Sequence, residues 1–282
     1  MSLIHKLEEK KIKRFKKKHK IGLCLSGGGA RGFSYIGAFK VFEDAGIEFD
    51  MVAGTSAGSI FGAMYACKMS YDDMFVKTNG VKNKDFKNSR LGFLPSSMEG
   101  LGNLVKQVLP VKRIEDFAIP YYAVAVDIKT GKEIVFHEGE AVSVITGSCA
   151  IPGVFTPVKY KNMTLIDGGV KNNIPADVLR EKGCDFVVTI DCNSTRGGGT
   201  NSNNFFNQFT TSIGIMMVNN SRAGLELSDI VIRPNMKKYS SLKIVEKDEM
   251  IKEGYRATLA SLPEILNIFM GKVKKRRFNK RK

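Results

Sequence analysis

Gly54-Thr55-Ser56-Ala57-Gly58 is a G-x-S-x-G string standing between an apolar stretch, FDMVA, and a run with helical apolar spacing, SIFGAMYACKM. Small residues two positions either side of a serine let the backbone turn sharply from strand to helix while the helix packs close beneath. A turn of that kind lifts the Ser56 hydroxyl to the carboxyl end of a sheet, where the N–H groups of the next helix point. The chemistry it suits is nucleophilic acyl transfer, with Gly54 and Gly58 shaping the elbow. The plainer alternative is a tight turn in which Ser56 is only an N-cap.

Acyl transfer also needs hydrogen-bond donors for a negative oxygen and a base for the nucleophile. GGGARG (27–32) follows the apolar pentad IGLCL (21–25), and its Gly28 and Gly29 amides are placed to meet an oxyanion. Arg31 is either a brace for that loop or a contact for a substrate phosphate. Read alone, the same string is G-x-G-x-x-G and fits a dinucleotide phosphate loop, with Glu48 or Asp50 at the spacing of a ribose-binding acid. That reading gives GTSAG no role. For the base, histidine occurs only at His5, His19 and His137, and His137 reads as the surface end of a strand. Asp127, Asp167 and Asp191 each end an expected strand, where catalytic groups collect in a parallel sheet. Gly168 and Gly169 after Asp167 permit close backbone approach, but pattern alone does not separate the three carboxylates.

These residues need a sheet to position them. Strands are expected at 21–25, 49–53, 121–127, 132–137, 163–167, 185–191 and 229–234, and helices at 32–45, 140–149, 175–182, 205–223 and 248–270, with a further helix directly after GTSAG. Alternation of strand and helix argues for an α/β fold with a mainly parallel sheet and right-handed crossovers. Met98, Leu101, Val105 and Val108 recur at helical spacing, which reads as a core-facing helix or, alternatively, a lid. The polar, glycine-rich 193–204 reads as a flexible linker.

The formal charge of +16 is concentrated at the ends: +7 in residues 1–20 and +8 in 272–282, leaving +1 for the body. A single domain over 21–271 is therefore expected between two basic arms. Such arms suit an anionic membrane surface or nucleic acid. Five scattered cysteines without C-x-x-C spacing imply neither a disulfide framework nor a zinc site, which favours a reducing cytosol. No apolar stretch approaches the roughly 20 residues of a spanning helix, so a soluble or peripheral protein is expected. The expected partners are an acyl ester substrate and the inner membrane surface. Leu262, Ile265, Leu266 and Phe269 of the helix at 248–270 are an apolar face suited to docking there. No specific nucleic acid is expected, and no pattern specifies an oligomeric state. A nucleotide-binding domain and a non-catalytic phosphate-surface module remain alternative functions.

GGGARG, GTSAG and Asp167-Gly168-Gly169, with GSCAIPGVFTPV (147–158) before the last, together resemble the patatin-like phospholipase family. The resemblance covers residues 21 to about 191, in order. It implies a three-layer α/β/α sandwich and a Ser–Asp dyad in which Ser56 is the nucleophile and Asp167 the general base. It places Gly27, Gly28, Gly29 and Arg31 in an oxyanion loop and Gly168 and Gly169 in the DGG motif. It implies hydrolysis of lipid acyl esters, of phospholipids or lysophospholipids, without metal or cofactor.

Overall fold

The computed structural model describes Phe15 and residues 18–82, 95–193 and 205–273, with the side chains of 205–207 excepted. In chain order the strands are β1 (Ile21–Leu25), β2 (Met51–Thr55), β3 (Tyr121–Asp127), β4 (Lys132–Phe136), β5 (Val158–Tyr160), β6 (Met163–Asp167), β7 (Phe186–Ile190) and β8 (Ile230–Ile232). The helices among the described residues are α1 (Ser34–Asp44), α2 (Ala57–Ala66), α3 (Tyr71–Asn79), α4 (Glu99–Val108), α5 (Ala141–Ser148), α6 (Ala176–Glu181), α7 (Phe205–Asn219), α8 (Arg222–Glu226) and α9 (Lys247–Phe269).

β1 is buried throughout and pairs in parallel with β2 on one edge and β7 on the other. Alternate side chains of a strand point to opposite faces. Ile21, Leu23 and Leu25 accordingly enter a large apolar cluster shared with α1, α2 and α9, while Cys24 enters a smaller one with α6. Both faces are thus covered, and this is why β1, β2 and β7 are continuous apolar runs. The layers are α/β/α, as the family resemblance implies.

The sheet order is β5-β6-β3-β2-β1-β7-β8, with β4 also paired to β3. β3, β2, β1, β7 and β8 run parallel, whereas β4 and β6 pair antiparallel to β3 and β5 antiparallel to β6. β4 occupies one edge of β3 from Ala123 to Asp127. The opposite edge is shared: β2 pairs with residues 121–124 and β6, running the other way, with 125–127. The two strands meet end to end, Thr55 opposite Val124 and Asp167 opposite Ala125.

Several expectations shift. β2 starts and ends two residues later than expected, because its ladder with β1 continues through Gly54 and Phe49 instead packs against Phe42, Tyr65 and Phe269. α3 was not expected: only Met74 and Thr78 of its nine residues are buried, too few for an apolar stripe, and Ser70 caps its N-terminus. β5 is three residues long, with Lys159 exposed between two half-covered residues, and carries no strand pattern. Met98, Leu101, Val105 and Val108 are all buried, so α4 is a core helix and not a lid. The helix expected at 205–223 is two, α7 and α8. On α9, Ile265 and Phe269 are fully buried and Leu262 and Leu266 pack against the core. That face supports the domain and is not open to a membrane, because α9 lies against α1.

Most of both basic arms, with His5, and residues 194–204 of the expected linker lie outside the described residues. The rings of Phe15 and His19 pack against each other at a tilt, Phe15 meets Phe186 at a tilt and His19 meets it edge-on, fastening the inner end of the first arm to β7. No helix of the described residues is long and apolar enough to cross a membrane.

Candidate active site

Ser56 occupies the turn between β2 and α2 with φ 53° and ψ −124°, a conformation that costs a non-glycine residue about 1–3 kcal/mol. Its side chain caps no amide of α2, so the N-cap reading does not describe it. The strain is held from outside. The Ser56 N–H donates to Ser148 Oγ at 2.9 Å, and the Ser148 hydroxyl donates to the Val124 carbonyl at 2.6 Å. Ser59 Oγ donates to the Ser56 carbonyl at 2.6 Å. Gly54 and Gly58 are required by close approach: a Cβ on Gly54 would run into the Gly58 carbonyl, and one on Gly58 into the Leu25 and Ser26 carbonyls. Gly58→Ala is therefore expected to destabilise the protein by about 3 kcal/mol, visible as a fall of roughly 6–12 °C in Tm by calorimetry. An unchanged Tm would mean the elbow is not packed as described.

Asp167 ends β6 and is fully buried. The end-to-end meeting of β2 and β6 brings it to Ser56, across a chain separation that local pattern does not span. Thr55 Oγ1 donates to the Asn172 carbonyl at 2.8 Å and the Asp167 N–H to the Ala150 carbonyl at 3.0 Å, tying both strand ends to the loops beside them. Asp167 Oδ1 accepts the Gly169 N–H at 2.8 Å, while Oδ2 is buried without a hydrogen bond of its own. Burial pushes the carboxyl up to about 7, although the neighbouring Ser56 hydroxyl and the Gly169 amide both pull it down. A carboxylate poised near neutrality is a far better base than an ordinary one.

The other carboxylates are engaged elsewhere. Asp127 accepts the Thr164 N–H and the Thr130 hydroxyl, and the amide of Thr164 holds it below its ordinary range. Asp191 Oδ1 accepts the Asn193 N–H at 3.0 Å. His137 is exposed, beside the Tyr122 ring. Asp50 accepts the Ile21 N–H at the start of β1, and Glu48 pairs with Lys68 on the surface. GGGARG follows the far end of that five-residue strand, about 16 Å away, so neither acid is placed to share a dinucleotide with it.

Within the loop the three glycines differ. Gly27 gives its N–H to the Asn173 carbonyl at 3.0 Å and so contributes shape and not a free donor. The Gly28 and Gly29 amides donate to no described group, and both residues line the cavity with Ser56. Gly29 has φ 58°, and a side chain there would strike the Ser241 carbonyl that accepts from Ala30. Arg31 is buried, with Nε donating to the Tyr239 carbonyl at 2.9 Å and Nη1 to Asn193 Oδ1 at 3.1 Å. It braces the loop and does not line the cavity, so of the two roles the sequence left open the hydrogen bonds describe the brace. The cavity walls are mainly apolar: Ile151 and Val154 after α5, Ile213, Gly214 and Met217 on α7, and Leu242. Ser148, Ser59 and Asn173 escaped the sequence reading. The first lies in the GSCAIPG segment and the last in the GGVKNNIP that follows Asp167, so adjacency to motif residues was the available signal.

Comparison with known proteins follows the same outline. A protein from Caenorhabditis elegans, "Patatin-like phospholipase domain-containing protein ZK370.4", is 34% identical over 185 residues, covering 62% of this chain and 14% of its own length. "Lysophospholipase NTE1" of Meyerozyma guilliermondii is 25% identical over 290 residues, covering 89% of this chain and 20% of its own. The chain thus spans a fifth or less of these relatives. Among solved structures, VipD from Legionella pneumophila superposes with a TM-score of 0.59 at 16% identity, over 88% of this chain and 67% of that one, a likeness of fold alone. The family model described as Patatin-like phospholipase matches residues 23–180, a span that holds the glycine loop, the serine elbow and the DGG turn, and the chain belongs to that family.

Proposed function

We propose that the chain is a serine esterase removing acyl groups from phospholipids or lysophospholipids, with Ser56 as nucleophile and Asp167 as general base. The observation that carries this is the meeting of a strained serine with a buried carboxyl raised to about 7. Asp167 takes the Ser56 proton as Oγ attacks the ester carbonyl. The oxyanion rests on the Gly28 and Gly29 amides, the alcohol leaves with the proton from Asp167, and water hydrolyses the acyl-enzyme. Apolar walls of Ile151, Val154, Ile213 and Met217 suit a fatty acyl chain. The names of the relatives support lipid as the substrate class.

The test is fluorophosphonate labelling together with fatty-acid release from lysophosphatidylcholine. Both are expected in the wild type, whereas Ser56→Ala should not label and should lose release by roughly 10⁴-fold; undiminished turnover without labelling would overturn the dyad. The two basic arms, +7 and +8, support a cytoplasmic enzyme that rests peripherally on the anionic inner membrane surface. Removal of both arms is expected to abolish co-sedimentation with phosphatidylserine vesicles while leaving hydrolysis of a short soluble ester intact. Undiminished co-sedimentation would end that assignment.

A further inference from the structure

Two buried side-chain oxygens at the site lack a hydrogen bond, Asp167 Oδ2 and Asn173 Oδ1. The first belongs to the base. The second is unexplained, because leaving a buried amide oxygen unpaired costs about 1–3 kcal/mol. Asn173 is 1% exposed and lines the cavity with Ser56. Its oxygen stands where a side chain on Gly27 would begin, with Ser56 Cβ 3.3 Å from that same place. At Gly169 the corresponding place has Asn173 Oδ1 at 3.0 Å and Asp167 Oδ1 at 3.1 Å. One amide oxygen therefore sits beside both the nucleophile and the base.

Its orientation is set by neighbours. Asn173 Nδ2 donates to Ser221 Oγ at 3.0 Å, and Ser221 gives its own proton to the Met217 carbonyl of α7 at 3.3 Å. With its proton committed, Ser221 faces the amide as an acceptor, so the amide presents nitrogen to Ser221 and oxygen toward Gly27 and Gly169.

We infer that Asn173 Oδ1 is the second acceptor for the water that hydrolyses the acyl-enzyme, orienting that water against Asp167. This rests on the Ser56–Asp167 reading. Water carries two O–H donors: one proton passes to the Asp167 carboxylate as the water oxygen bonds to the acyl carbon, and the other stays on oxygen and donates to Asn173 Oδ1. The tetrahedral intermediate then expels Ser56 Oγ, which recovers the proton from Asp167, and the carboxylic acid is released. An alcohol acceptor has a single O–H, which it must give to Asp167, so it gains nothing from Asn173. The amide oxygen thus selects hydrolysis over acyl transfer to alcohols.

The test uses the full chain, a p-nitrophenyl acyl ester and methanol as competing acceptor. Asn173→Leu keeps the size of the side chain and the backbone carbonyl that holds Gly27. It is expected to label with fluorophosphonate, to show a burst of p-nitrophenol followed by slow turnover, and to shift the product ratio of methyl ester to free acid upward by about tenfold, the equivalent of one lost hydrogen bond. Ser221→Ala, which frees the amide to turn, is expected to shift the ratio the same way by a smaller factor. An unchanged ratio in a labelling Asn173→Leu protein overturns the inference. If that variant does not label, the ratio in Ser221→Ala decides, an unchanged value again overturning it. Turnover undiminished in Ser56→Ala would instead be a failure of the dyad itself.

Discussion

Alanine at position 56 is expected to lower kcat for a soluble ester by roughly 10⁴-fold or more, with KM nearly unchanged. The loss is of transition-state stabilisation only, because the cavity walls that hold the acyl chain are untouched. Residual turnover above the uncatalysed rate is expected from the Gly28 and Gly29 amides, which still meet a developing oxyanion. Asp167→Asn is expected to cost roughly 10³- to 10⁴-fold, since an amide in the same place cannot accept the proton. The two losses are not additive: the double variant should be no worse than the worse single one, because each removal disables the same step. In the wild type, turnover should rise with pH through about 7 as Asp167 ionises. Asp127→Asn and Asp191→Asn should retain kcat within a few-fold, since those carboxylates serve turns. Steady-state kinetics of the five variants and a pH–rate profile check this. Unchanged turnover in Ser56→Ala or in Asp167→Asn would refute the dyad.

The second large effect is on stability. Asp167 has an ordinary pKa of 3.8 when exposed and about 7 when buried in the fold, so between those values the folded protein holds a proton that the unfolded chain has lost. Stability from this group is therefore fully present below pH 4, falls as pH rises from 4 to 7, and is lost above 7, where both states are ionised. The rise from 3.8 to about 7 corresponds to a cost on the order of 4 kcal/mol at pH 8. Asp167→Asn removes the charge and should raise Tm at pH 8 by several degrees while changing it little at pH 4. A variant that is inactive yet more stable is the signature of a site whose chemistry opposes its packing. Thermal unfolding of both proteins across pH 4–8 gives the comparison; a difference in Tm that does not grow with pH would mean that Asp167 is not buried as a charge.

Local pattern carried the parts of this protein that are locally caused. IGLCL, YYAVAVD and DFVVTI are strands because an apolar run bounded by polar residues must be covered on both faces, and the structure covers them so. The helical spacing of Met98, Leu101, Val105 and Val108 likewise determines a core helix. The glycines of GTSAG and GGGARG signal close backbone approach, which is a property of residue type. What was illegible had distant causes. α3 buries little, so no periodicity announced it. The outward-looking stripe on α9 became core only because α1 lies against it. Arg31 could be told from a phosphate contact only by finding the Tyr239 carbonyl and Asn193 in its reach, more than 160 residues away.

The sequence by itself determined the tight turn that carries Ser56 and a short set of carboxylates at strand ends. Only the tertiary structure decided between those carboxylates on physical grounds. β6 runs antiparallel into the end of β2 on one edge of β3, placing Asp167 beside Ser56 in a water-poor setting, while Asp127 and Asp191 end their strands among turn amides that satisfy them. Strand direction and register depend on the pairing of segments far apart in the chain, and burial depends on what packs over them. Those two quantities raise the Asp167 carboxyl to about 7 and leave Asp127 and Asp191 to hold turns.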